Sequence, residues 1–177
     1  MGKDGVRHIG LADRRRIAMV SILDESEYPR PNLTGFSTIL CLTFTDVHEG
    51  MFRDGPRRWG DDPSLVDLQF AYSASSREAV AQGPSMEHAR RIMAFCQRVQ
   101  DEPEEFTLAV HCYAGVSRSA AVARFVSETF LVPIDSHRTT ECANPRLMHL
   151  LRRARTEMAA QAELPEPERQ APSSPRP

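Results

Sequence analysis

The segment spanning residues 107–119, TLAVHCYAGVSRS, constrains this chain more than any other. An apolar run enters it and a long apolar stretch, from Arg118 to about Leu131, leaves it. In that stretch Ala120, Ala121, Val122, Ala123, Phe125, Val126 and Phe130 leave little polar face, which predicts a central, buried helix. A buried strand that turns through one short glycine-containing loop into a buried helix is a building unit of layered α/β domains.

The rest of the chain agrees with that class. Ile17–Leu23 and Thr38–Phe44 are short aliphatic and β-branched runs bounded by turn formers, and they read as buried strands, as does Thr107–His111. Val66, Leu68, Phe70 and Tyr72 alternate and suggest one more extended segment. Ser85 can cap a helix whose apolar positions Met86, Ala89, Ile92, Met93, Cys96 and Val99 recur at helical spacing. A last helix has Asn144 as its cap and Pro145 as its first residue, followed by Leu147, Leu150, Leu151, Ala154 and Met158. The expected fold is a single three-layer α/β domain over 16–160, with a mainly parallel central sheet of four to five strands flanked by helices. Residues 1–15 read as a polar, flexible segment, and 161–177, rich in Pro, Glu and Ser, as a disordered tail. Between them, 48–83 is irregular and glycine-bearing, a long insertion of the kind that is usually functional or disordered.

Composition excludes several classes. The chain has 177 residues, 41% hydrophobic and 26% charged, with a formal charge of −2 at pH 7, so it carries no global basic field for nucleic acid or anionic lipid. Of 22 basic residues only Lys3 is lysine. The four cysteines show no CxxC spacing, which points to a reduced, cytoplasmic protein rather than a disulfide scaffold. The run after Arg14-Arg15-Arg16 contains Ser21, meets Asp24 and Glu25 at once and lacks a cleavage site, so a strand fits it better than a signal peptide. Val6 stands where a myristoylation pattern needs Ser or Thr.

The chemistry lies in the 107–119 string. A Cys followed six places later by Arg is expected by chance roughly 0.4 times in such a chain. Adding the preceding His, the Gly three after the Cys and the Ser after the Arg lowers that to roughly one in ten thousand. A strand-to-helix loop presents backbone N–H groups, and the helix start adds partial positive charge, which together make an anion cradle. Gly115 permits a tight curve. Arg118 adds a planar fork of donors suited to two phosphate oxygens. Cys112 stands at the loop's start, where the same field would lower its pKa and arm it as a nucleophile. Ser119 can donate a hydrogen bond to the sulfur, and His111, aimed to the other side of the strand, orients the loop.

HCYAGVSRS resembles the signature of cysteine-dependent protein tyrosine phosphatases: His-Cys, five residues, Arg, then Ser or Thr. It is most similar to the compact dual-specificity-type branch and its small bacterial members, and VSILDES, TILCLTFTDV, PSMEHARRIMAF and ANPRLMHLL follow those members in order over about 20–150. The resemblance implies a tyrosine-phosphatase-like fold and a two-step reaction needing no metal or other cofactor. Cys112 would form a phosphocysteine, Arg118 and loop residues Tyr113, Ala114, Gly115, Val116 and Ser117 would hold the phosphate, and an aspartic acid would serve as general acid and then base. Its partner would be a phosphorylated protein or peptide, with no nucleic acid or membrane. The oligomeric state stays open.

Asp46, at the end of the strand Thr38–Phe44, is the first choice for that acid, because open α/β sheets place ligands at the carboxyl ends of their strands. It precedes Cys112 by 66 positions, a longer interval than compact members carry, and the excess falls in 48–83. Trp59-Gly60-Asp61-Asp62 keeps Asp61 and Asp62 as rivals, since it echoes the Trp-Pro-Asp loop of receptor-type members; Asp54, Asp67 or the lack of any acid are further alternatives. His48 could tune the acid or lie on the surface. Cys41 is either a buried strand cysteine or, as the resemblance implies, a protective disulfide partner of Cys112. Cys96 falls on a core stripe. Other readings remain: a non-catalytic phosphoresidue-binding module, a phosphatase for a non-protein ester, and sulfur-transfer or arsenate-reducing chemistry. A loop without lysine makes highly charged substrates a poorer fit.

Overall fold

Alternation along β1, Ile17–Leu23, sets how the sheet is covered. The computed structural model describes residues 1–47, 69–74, 77–134 and 140–162. In β1 the side chains of Ala18, Val20 and Ile22 point to one face and join the main core, while Met19 points to the other and joins a smaller cluster. Strand β2, Thr38–Thr43, pairs in parallel with β1 on one side. A hairpin follows later in the chain, β3 (Gln69–Ala74) antiparallel to β4 (Arg77–Gln82), as a separate two-stranded sheet. Strand β5, Thr107–His111, pairs in parallel with β1 on its other side, giving the order β2-β1-β5. The described parallel sheet therefore has three strands rather than four to five. The alternating segment did become extended, but Phe70 and Tyr72 lie in the hairpin, within the stretch expected to be irregular; Val66 and Leu68 fall outside the described residues.

Two short helical turns begin the chain: a 3-10 helix over Lys3–His8 and α1 over Leu11–Arg14. Three longer helices follow: α2 (Met86–Asp101), α3 (Arg118–Phe130) and α4 (Pro145–Ala162). All three place apolar faces in the core cluster that holds Ala18, Val20 and Ile22, so they cover the same sheet face. In α4, Leu147, Leu150 and Leu151 are wholly buried; burying each contributes about 1.5–3 kcal/mol. Helix α2 starts at a capping box in which the Ser85 hydroxyl accepts from the His88 amide and the His88 ring accepts from the Ser85 amide. Among the described residues no helix is long and apolar enough to cross a membrane.

The second sheet face is covered by the segment expected to be loose. Val6 is wholly buried against Met19 and Phe36. Arg14 is buried too, and its guanidinium donates to the carbonyls of Val6, Ile9, Asn32 and Thr34 at 2.8–3.3 Å while lying over the Phe36 ring. Four carbonyl acceptors compensate much of the desolvation of a buried charge. Average polarity hid this, because Val6 with Met1 and Ile9 packed beside it, and one arginine with four carbonyl acceptors, dock so short a segment. At the other end α4 continues to Ala162, two residues beyond the expected boundary; the rest of the tail lies outside the described residues.

Among the described residues β2 is an edge rather than a buried strand. Leu42 is buried and Phe44 just beyond it as well, but Ile39 and Cys41 are exposed. Register also separates Cys41 from Cys112: Cys41 pairs with Ser21, and Ser21 with His111, so two interstrand gaps lie between them. Two gaps of about 4.8 Å put their Cα atoms roughly 10 Å apart, beyond the ~7 Å that a disulfide can span without backbone movement.

Candidate active site

Because β1, β2 and β5 run parallel in register, their carboxyl ends open on one edge, and the residues just past each end meet there. Past β5 comes Cys112, past β2 comes Asp46, and past β1 a turn carries Glu27. The turn is tied by the Asp24 carboxylate, which accepts from the Ser26 amide at 3.0 Å and from the Thr45 hydroxyl. It thereby links the β1 end to the residue preceding Asp46.

The loop from Cys112 to Arg118 curls around the thiol. Gly115 takes φ of +79°, a conformation that favours glycine, and a Cβ there would collide with the backbone of Met1 and Gly2. The close approach that needs this glycine is therefore the chain's own first residues: Cys112 N donates to Met1 O and Lys3 N to Tyr113 O at 3.2 and 3.1 Å. The Gly115 amide points at Cys112 Sγ at 3.3 Å, and Ser119 Oγ lies 3.3 Å from the same sulfur. Tyr113, Ala114 and Val116 are exposed at the loop's surface, with Lys3 Nζ 4.1 Å above the Tyr113 ring.

The electrostatics favour the thiolate. Burial alone would push the Cys112 thiol up, but the Ser119 hydroxyl, the Ser119 and Gly115 amides and the Arg118 charge outweigh it and hold it below its ordinary value. Arg118 is buried and gripped at both terminal nitrogens by Glu27, at 2.6 and 3.1 Å, with a further bond to the Phe44 carbonyl at 3.0 Å. Burial opposes its charge, yet the bonds and charge of Glu27, then the charges of Cys112 and Asp46, hold the guanidinium above its ordinary value. Its Nε–H is buried, has no hydrogen-bond partner among the described residues and lies 4.0 Å from Asp46 Oδ2. His111 is wholly buried; burial chiefly pushes it down to about 4, so it is neutral near pH 7 and suited to a structural place beside the loop.

Asp46 sits at the loop's far side. Its Oδ1 accepts from Ser117 Oγ and from Asn144 Nδ2, both at 2.8 Å. The structure thus brings Cys112, Ser117, Arg118, Ser119 and Asp46 together. Asp54, Asp61, Asp62, Asp67 and His48 lie outside the described residues. Two contributors escaped the sequence reading. Glu27 looks like any turn carboxylate, although its place four residues past a strand parallel to β5 was a usable signal. Asn144 was read as a helix cap only. Compared with protein-family models and with curated proteins, the chain matches none.

Proposed function

We propose that this protein is a cysteine-dependent phosphatase that hydrolyses phosphotyrosine in proteins or peptides, with phosphoserine and phosphothreonine as further substrates. The observation that carries the reading is a buried thiol made more acidic by its donors, lying in the same loop as a buried, carboxylate-clamped guanidinium whose Nε–H has no hydrogen-bond partner among the described residues. An unpartnered buried donor is costly unless an acceptor arrives, and a phosphate oxygen is such an acceptor.

In the first step the Cys112 thiolate attacks phosphorus in line. An S–P bond forms, the P–O bond to the leaving group breaks, and Asp46 gives its proton to the leaving oxygen. Arg118 and loop amides stabilise the charge on the equatorial oxygens. In the second step water attacks phosphorus, Asp46 takes a proton from that water, and the S–P bond breaks to release phosphate and restore the thiolate. Ser119, 3.3 Å from the sulfur, stabilises the departing thiolate. A cytoplasmic, reducing setting keeps Cys112 free for this chemistry.

Phosphate release from a phosphotyrosine peptide, without added metal, tests the reading in wild type and Cys112→Ser. Release that vanishes in the serine variant supports it. A wild type that releases nothing, while the serine variant still binds the peptide, replaces it with a phosphoresidue-binding module.

A further inference from the structure

We propose that Asn144, together with Ser117, decides which oxygen of Asp46 carries the transferable proton: both hold Oδ1 as an acceptor, so the proton resides on Oδ2, the oxygen turned toward Arg118. The inference rests on the phosphatase reading above and assigns Asn144 as a positioning residue within it.

Asn144 is wholly buried and uses every polar group it has. Its Oδ1 accepts from the Leu147 amide at 2.9 Å, which caps α4. Its backbone N–H donates to Ser117 O at 3.2 Å, and its Nδ2 donates to Asp46 Oδ1 at 2.8 Å and to Val47 O at 3.2 Å. These partners fix the amide's orientation, because Leu147 N can only donate and the Val47 carbonyl can only accept. Capping a helix needs an acceptor alone, which serine or aspartate supplies equally well. The amide nitrogen is surplus to capping, and it spends both hydrogens on the Asp46 segment.

The consequence follows from the inventory of a carboxyl group. A protonated carboxyl has one O–H donor and one fully accepting oxygen. Asp46 Oδ1 already receives Ser117 Oγ–H and an Asn144 N–H. A proton there would set O–H against an amide N–H that cannot turn away without breaking the α4 cap. Among the described residues Oδ2 has no such donor within bonding distance; Arg118 Nε is 4.0 Å away. In the forward step the proton passes from Oδ2 to the leaving oxygen, and in hydrolysis Oδ2 takes it back from water. Asn144 thus joins α4, the loop and the acid segment, and it aims Oδ2 without touching substrate.

The test compares two aryl phosphates: phenyl phosphate, whose leaving phenol has a pKa of about 10 as tyrosine does, and nitrophenyl phosphate, whose more acidic phenol leaves with little protonic help. Asn144→Ser keeps the capping acceptor and loses the amide. Its kcat/KM, which reads only the steps up to release of the phenol and not the hydrolysis common to both esters, should fall about ten- to a hundredfold on the phenyl ester but less than about threefold on the nitrophenyl ester. In an Asp46→Asn background the same change should cost nothing more. Equal losses on both esters, or an undiminished loss in that background, would make Asn144 a helix cap alone and overturn the inference. Circular dichroism checks folding; should Asn144→Ser not fold, Ser117→Ala removes the other donor, since its side chain makes no capping bond. That variant must show the same bias toward the phenyl ester, and an unbiased loss overturns the proposal. Wild type inert on both esters brings down the phosphatase reading itself, an outcome distinct from an active wild type with an unbiased variant.

Discussion

Cys96 and Cys112 are both buried, 5% and 1% exposed, and belong to the same core cluster, yet their surroundings drive them in opposite directions. Cys96 lies on the apolar stripe of α2, where burial pushes its thiol up to about 12. Cys112 suffers the same kind of burial, but Ser119, the Gly115 amide and Arg118 reverse the outcome. Loss of water silences a thiol unless fixed donors replace that water, and here the Gly115 amide and the Ser119 hydroxyl stand 3.3 Å from the sulfur. What separates these two thiols is the donor set, not the depth.

The largest break in that comparison is Cys112→Ser. Phosphate release should fall at least about 10³-fold, measured on a phosphotyrosine peptide. Next comes Arg118→Lys, which keeps the charge but cannot chelate Glu27 and present Nε–H together; turnover should drop about 10²–10³-fold. Ser119→Ala removes one of the donors that lower the Cys112 pKa, so that pKa rises and the thiolate fraction at mildly acid pH falls. The pH curve for iodoacetamide alkylation of Cys112 should move to higher pH, with a loss of turnover of about tenfold; an unmoved curve would place the acidity elsewhere. The smallest effect belongs to Cys96→Ala, expected to leave turnover within about twofold and to lower stability by about 1 kcal/mol, read from denaturant midpoints.

The same contrast explains what was legible in the sequence. Signals that act within a few residues were readable: the Ser85 cap, the Asn144-Pro145 helix start, the apolar stripe with Cys96, and the strand ends that put Cys112 and Asp46 on one edge. Features built from distant segments were not. Glu27 reaches Arg118 only because β1 lies beside β5, and Arg14 is tolerable inside only because carbonyls from two segments, 6–9 and 32–34, surround it. Gly115 reads in the sequence as permitting a tight curve; the approach that forbids a side chain there is made by Met1 and Gly2. The second role of Asn144 was hidden because a capping asparagine looks the same whether or not its amide nitrogen has a task.

Rapid acid quench during turnover of an aryl phosphate, followed by peptide mass spectrometry, looks for the phosphocysteine itself. One phosphoryl group should appear on Cys112, absent from Cys41, Cys96 and Cys142 and absent from Cys112→Ser. Turnover that proceeds with Cys112 unmodified, or with the phosphoryl group on another residue, would contradict the phosphocysteine step.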